Sequence, residues 1–128
     1  MIVITSFFVV KKTKSSKIVI GAQDCHSSET DGAFTGSINS SMIKKTGSRY
    51  VILGHSEKRQ SGDTDSEINK KIKSALKNNL SIIFCIGETL KERKNKKTDF
   101  ILKRQIIKGL NKVKKLNKII IAYEPIWA

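Results

Sequence analysis

The sequence is poor in cysteine and in long apolar runs, and each shortage excludes a class of protein. The two cysteines, Cys25 and Cys85, lie far apart and show no paired spacing, so we predict neither a disulfide framework nor a metal site. The apolar stretch from Ile2 to Val10 is too short to span a bilayer, and no basic region precedes it. We therefore predict neither a membrane helix nor a signal peptide, and we expect a cytoplasmic location.

Acidic residues and arginine are also scarce. Eleven acidic residues face 25 basic ones, which gives a net charge of +14, and only four of the basic residues are arginine. This charge is compatible with a protein that binds the phosphate backbone of nucleic acids. The favoured interpretation is a lysine-rich composition on solvated helix faces. Because the lysines are not interleaved with aromatic residues, nucleic-acid binding is the less favoured alternative.

Five apolar runs of the kind that form buried parallel strands recur along the 128 residues. They are Ile2–Thr5, Lys17–Ala22, Tyr50–Leu53, Ser81–Ile86 and Lys118–Tyr123. Helical patterns separate most of them, which predicts an α/β fold with crossover connections between parallel strands. We expect residues 1–128 to form a single domain, although the chain is short for an α/β barrel of about 250 residues.

Three helices can be predicted between these runs. The segment Asp65–Asn78 has an apolar stripe of Ile68, Ile72, Ala75 and Leu76, with lysines opposite and Asp63 or Thr64 as a cap. Thr98 can cap a second helix, whose buried face would be Ile101, Ile106, Leu110, Val113 and Leu116. A shorter helix around Ser41–Lys45 should end at Gly47.

Polar and ionisable residues follow the predicted strands directly. His55-Ser56-Glu57 follow the third run, and Glu124-Pro125 follow the fifth. If the strands lie side by side in chain order, these two ends are about 10 Å apart, which leaves room for a small molecule. A carboxylate can remove a proton from carbon beside a carbonyl while a neutral imidazole stabilises the enolate. The alternative is that Glu124 is simply a strand-end residue and His55 a loop histidine.

Two segments resemble the signatures of the triosephosphate isomerase family. They are Gly54-His55-Ser56-Glu57-Lys58-Arg59 and Ala122-Tyr123-Glu124-Pro125-Ile126-Trp127-Ala128. Gly21-Ala22-Gln23-Asp24, Gly32-Ala33-Phe34-Thr35-Gly36 and Cys85-Ile86-Gly87-Glu88-Thr89 are also similar to that family, in the same order and spacing. The resemblance covers nearly all of the chain from about Ile18.

The resemblance implies an isomerase acting on triose phosphates, without a metal or organic cofactor. Glu124 would be the base and His55 the electrophile, which is the established pairing of this family. Ser56 would contact the base when the site is open, and Glu57 would help to organise the charged groups. Pro125, Ile126 and Trp127 would form the first hinge of a lid. Phe34, Thr35 and Gly36 would lie in a loop that reaches into the neighbouring subunit of a homodimer.

Several parts of the family pattern have no counterpart in these 128 residues. The first strand with its Asn-Lys pair is missing, as are the lid tip and the last two strands, which carry the phosphate-binding amides. Ser37 and Lys58 also differ from the usual residues, and both lie in regions of the dimer contact. The sequence therefore predicts a partial (β/α)8 barrel of about five parallel strands, not closed and nearly inactive alone. A non-catalytic remnant and a split-enzyme assembly partner are the alternatives.

Overall fold

The fold is an open parallel sheet with helices packed on one face. A computed structural model describes residues 2–127, and for residues 2–5 it describes the backbone alone. Met1 and Ala128, the last residue of the second family signature, lie outside the described residues. The strands are β1 (Gly21–Ala22), β2 (Tyr50–Leu53), β3 (Ser81–Ile86) and β4 (Ile119–Tyr123). The helices are α1 (Ile2–Lys12), α2 (Ser40–Lys45), α3 (Ser56–Gln60), α4 (Asp65–Lys77), α5 (Leu90–Lys94) and α6 (Thr98–Gly109), with a 3₁₀ turn at Leu116–Lys118.

The four strands lie in chain order, and every neighbouring pair is parallel. The partial-barrel prediction is therefore confirmed, with β2 and β4 separated by β3. The prediction of a strand at Ile2–Thr5 is wrong, because these residues belong to helix α1. Periodicity alone cannot distinguish a short buried strand from part of a helix. The second predicted strand is also shorter than expected, since only Gly21 and Ala22 pair with β2.

Helix α4 follows its predicted pattern closely. The side chain of Thr64 accepts a hydrogen bond from the Glu67 amide and caps the helix. Ile68, Ile72 and Ala75 are fully buried against the sheet. The prediction of a purely solvated lysine face is wrong at Lys71, which is only 5% exposed. Its ammonium group is held by carboxylates of two other segments, Asp24 at 3.0 Å and Asp63 at 2.6 Å.

The other predicted helices differ in detail. Helix α2 has Asn39 as its cap and is followed by Gly47 in the left-handed conformation, as predicted. The prediction of Thr98 as the cap of helix α6 is wrong, since the helix begins with Thr98 and the cap position is Lys97. The Thr98 hydroxyl donates to Glu88 Oε1. Of its predicted buried face, Ile101 is buried, whereas Ile106, Leu110 and Val113 are partly buried. Leu116 is 56% exposed.

The two faces of the sheet differ in their covering. Val51, Leu53, Ile82 and Phe84 point towards the helices and are fully buried. The opposite face carries Ile52, Ile83 and Ile120, which line an open apolar hollow of about 400 Å³. Ile120, Ile121 and Tyr123 of strand β4 remain about half exposed. The uncovered face corresponds to the interior of a barrel that these strands do not close.

Candidate active site

His55 stands between strand β2 and helix α3, where it is the N-cap residue of the helix. Its Nδ1 accepts a hydrogen bond from the Glu57 amide at 3.3 Å. A nitrogen that accepts a hydrogen bond carries no proton, so the neutral ring has its proton on Nε2. The N-H of the imidazole therefore points away from the helix and towards the edge of the sheet.

Glu124 is the residue directly after strand β4, and its carboxylate meets this imidazole. Glu124 Oε1 lies 3.0 Å from His55 Nε2, and both side chains are about one-third exposed. The second carboxylate oxygen, Oε2, has no hydrogen-bond partner among residues 2–127. The sequence predicts a gap between the ends of the two strands, and the two side chains span that gap and touch. A small molecule would have to part the pair in order to lie between them.

Ser56 and Glu57 follow His55 in the first turn of α3. Within the described part of the chain, no hydrogen bond joins Ser56 to Glu124, whose partner is His55. Glu57 contributes its amide to the orientation of the imidazole. It also lines a hollow of about 310 Å³ beside His55, together with Gln23, Asp24, Ile52 and Lys58.

Glu88, for which the sequence predicts no role, follows strand β3 at the same edge of the sheet. Its side chain is completely buried. Tyr123 donates its hydroxyl hydrogen to this carboxylate, with both oxygens 3.1 Å away, and Trp127 Nε1 donates to Oε1 at 3.2 Å. Burial by itself would raise the pKa of Glu88, but the hydrogen bonds that begin with Trp127 outweigh it and lower that pKa. Two signals in the sequence could have indicated Glu88, namely the position of Gly87-Glu88 after an apolar run and the family-like segment Cys85–Thr89.

The predicted hinge residues Pro125, Ile126 and Trp127 are anchored to the segment that follows β3. The Ile126 amide donates to the Glu88 carbonyl at 3.1 Å. The indole of Trp127 donates to the Glu88 carboxylate, and the Arg93 guanidinium stacks 4.5 Å from the centre of its ring. Such a cation–π contact is typically worth about 0.5–1 kcal/mol at an exposed site.

Close backbone packing fixes Glu124 against the end of strand β3. A Cβ atom on Gly87 would lie 1.9 Å from the Glu124 carbonyl oxygen, so no larger residue fits there. The buried Gln105 side chain accepts a hydrogen bond from the Gly87 amide and donates one to its carbonyl, both at 2.9 Å. The Cys85 thiol is buried next to the pair, and burial followed by the negative charge of Glu124 raises the pKa of Cys85.

The loop with Phe34, Thr35 and Gly36 is exposed on the side of the fold near His26. The rings of Phe34 and His26 pack with centres 4.5 Å apart, and His26 Nδ1 accepts from the Ser28 amide. His26 is half-buried. Residues 2–127 contain no group of three His, Cys, Asp or Glu side chains placed to hold a metal ion. Among the same residues, no helix is long and apolar enough to cross a membrane.

Comparisons with known proteins agree on one family. The family model described as triosephosphate isomerase matches residues 1–128. The triosephosphate isomerase of Chlorobaculum tepidum is 47% identical over 121 residues, covering 94% of this chain and 49% of the relative. That of Clostridium novyi is 48% identical over 124 residues, with 94% and 49% covered. The crystal structure of triosephosphate isomerase from Bartonella henselae superimposes with a TM-score of 0.92 at 35% identity, covering 98% of this chain and 53% of that one. The chain thus spans about half the length of the curated relatives it matches.

Proposed function

The chain belongs to the triosephosphate isomerase family, and from this premise we propose that His55 and Glu124 carry out the proton transfer of an aldose–ketose isomerase. The substrates would be dihydroxyacetone phosphate and glyceraldehyde 3-phosphate. The observation that supports this proposal is the 3.0 Å contact between Glu124 Oε1 and His55 Nε2 at one edge of the parallel sheet. In open parallel sheets and barrels, ligands bind at the carboxyl ends of the strands.

The proposed chemistry divides the work between the two side chains. The Glu124 carboxylate removes a proton from the carbon beside the carbonyl group, and the electron pair of that C–H bond forms the double bond of an enediolate. The Nε2–H of His55 donates a hydrogen bond to the oxygen on which negative charge develops. A proton then moves from the hydroxyl oxygen of the enediolate to the oxyanion by way of the His55 ring, and Glu124 returns its proton to the neighbouring carbon, so that the carbonyl group forms on the former hydroxyl oxygen. This division between a Glu base and a neutral His is the known mechanism of the family.

Supporting roles follow the same proposal. The Glu57 amide keeps the proton of His55 on Nε2, where it is useful. Ser56 is proposed as a contact of the base once the pair separates. Pro125, Ile126 and Trp127 are proposed as the lid hinge, because the Glu88 and Arg93 contacts fix one end of that segment.

We propose that these 128 residues turn over little substrate by themselves. In barrels the substrate phosphate commonly binds at loops after the seventh and eighth strands, and the described sheet has four strands. Remote phosphate contacts supply much of the binding energy that is used at the reacting carbon. Strand β4 is an exposed edge strand, with Ile120 about half exposed on the uncovered face and Ile121 about half exposed on the opposite face. This exposure favours an assembly partner over a non-catalytic remnant, since complementary strands would cover the edge. The nucleic-acid alternative gains no support from the comparisons.

A coupled isomerisation assay tests the proposal. The purified chain would be assayed alone and after mixing with polypeptides that carry the remaining strands of a relative. We expect turnover in the mixture, at least about 10²-fold lower with Glu124→Gln or His55→Gln. Glu29→Gln is the matched control, because Glu29 is exposed and pairs with Lys77. Turnover in the mixture that is insensitive to Glu124→Gln would contradict the catalytic assignment. Turnover by the chain alone, lost with the same variant, would contradict the proposed inactivity.

Assembly and location complete the proposal. The exposed loop of Phe34, Thr35 and Gly36 is proposed to reach into a second subunit of a homodimer when the barrel is complete. In this chain Lys58 of the dimer region is bound to Asp24 at 3.1 Å, and size-exclusion chromatography of the assembled barrel measures whether the dimer forms. A cytoplasmic location is supported by the free thiols of Cys25 and Cys85, both buried.

A further inference from the structure

Arg59 lies in helix α3, one helical turn after His55. Its side chain is 13% exposed and donates three hydrogen bonds in three directions. Nε donates to the Gly54 carbonyl at 2.8 Å, Nη1 to Asp65 Oδ1 at 2.7 Å and Nη2 to the Cys85 carbonyl at 3.2 Å. The side chain thus joins the ends of strands β2 and β3 to the start of helix α4.

One carbonyl that Arg59 binds lies next to His55, and the other lies on the strand that pairs with the strand before Glu124. Gly54 directly precedes His55, so its carbonyl group fixes the peptide from which the imidazole projects. Cys85 is paired with Ala122 of strand β4, and the next backbone bond of the same ladder joins the Glu124 amide to the Ile86 carbonyl at 2.8 Å. Among the described residues, Arg59 is therefore the side chain that binds both the backbone next to His55 and strand β3, to which the Glu124 amide is hydrogen-bonded.

We propose that Arg59 is a positioning residue that sets the distance between the His55 imidazole and the Glu124 carboxylate. This inference rests on the proposed function for its catalytic meaning, although the geometry it concerns can be measured without catalysis. Asp65 fixes the guanidinium from the side of α4 and is itself only 12% exposed. A planar guanidinium can address three acceptors at once, whereas a lysine ammonium is a point charge on a flexible stem. Lysine at this position is therefore not a conservative replacement.

The test uses ¹⁵N-histidine NMR on the full chain. The chain has two histidines, so His26→Gln assigns both sets of ring signals, and His26 serves as an internal reference. In the parent chain, Glu124→Gln should shift the Nε2 signal of His55, because it removes the charged acceptor. In the Arg59→Lys background we expect the change in the Nε2 signal caused by Glu124→Gln to fall to about half or less. The reason is that the distance between His55 Nε2 and the Glu124 carboxylate would no longer be fixed. Arg49→Lys is the matched control, because Arg49 is an exposed arginine, and it should leave the shift unchanged.

Two further measurements separate positioning from general stability. Asp65→Asn keeps the arginine and removes its carboxylate partner, so it should reduce the same shift by a smaller amount. Far-UV circular dichroism checks that each variant is folded. An undiminished Glu124-dependent shift in folded Arg59→Lys would overturn the inference, and so would complete unfolding of both variants, because the role would then be stability of the whole fold. Failure of the proposed function is a separate result, namely isomerase turnover that is insensitive to Glu124→Gln.

Discussion

Replacing Gly87 by alanine should displace Glu124, because the added Cβ atom has no space. That atom would lie 1.9 Å from the Glu124 carbonyl oxygen, 2.7 Å from its carbonyl carbon and 3.1 Å from Pro125 Cα. Real Cβ atoms essentially never approach other atoms closer than 3.0 Å, so the two segments must separate by about 1 Å. The obstacle is backbone, which cannot rotate away as the end of a side chain can.

The size of the effect follows from this geometry. Extra atoms in a packed interior typically cost about 1–3 kcal/mol, and we expect the upper end here because the backbone itself must move. The displacement also strains the hydrogen bond from the Glu124 amide to the Ile86 carbonyl and the two bonds between Gly87 and Gln105. With a urea slope of about 1–3 kcal/mol/M for a small protein, the unfolding midpoint should fall by roughly 1–3 M.

Urea unfolding followed by circular dichroism measures this loss. Gly32→Ala is the matched control, because its Cβ would meet only the ring edge of the exposed Phe34 side chain at 3.3 Å. We expect that control to lie within about 0.5 kcal/mol of the parent chain. Equal unfolding midpoints for Gly87→Ala and Gly32→Ala would refute the reasoning, since the close approach of β3 and Glu124 would then be absent in solution.

Three further predictions concern stability. Glu88→Gln should destabilise the chain more at pH 7 than at pH 4. The lowered pKa of Glu88 stabilises the fold where the unfolded carboxylate is ionised. This contribution decreases as pH falls below the unfolded value of about 4.5 and is lost as pH falls through the lower pKa of the folded state. A urea midpoint of Glu88→Gln that lies equally far below that of the parent chain at both pH values would contradict this prediction. Burial, followed by the charge of Asp24, raises the pKa of Cys25 to about 12. Because the unfolded thiol ionises near pH 9, the free energy of unfolding should fall as pH rises above about 9. This fall should be smaller in Cys25→Ala. Phe84→Ala should lower the free energy of unfolding in urea by about 3–5 kcal/mol, because the ring is fully buried and packs against Gly109 of helix α6. A decrease below about 1 kcal/mol would show that the helices do not pack on this face of the sheet.

Local patterns were sufficient to predict several elements of the fold. Helix α4 could be predicted from its cap at Thr64 and its stripe through Ile68 and Ile72, because both signals lie within a few residues of each other. The parallel order of β2, β3 and β4 followed from apolar runs separated by helical segments. The first run forms a helix, because apolar residues recur from Ile2 to Val10 and such a run suits a helix as well as a strand.

The sequence by itself determined which chemical groups follow the strands: an imidazole at position 55, and carboxylates at 88 and 124. Only the tertiary structure decided how these groups are paired. It places Glu124 on His55, Glu88 beneath Tyr123 and Trp127, and Lys71 between two aspartates of other segments. The physical reason is that hydrogen bonds and ion pairs depend on distances of about 3 Å between side chains. Residues far apart in sequence reach such distances only when strand register and helix packing fix the backbone that carries them.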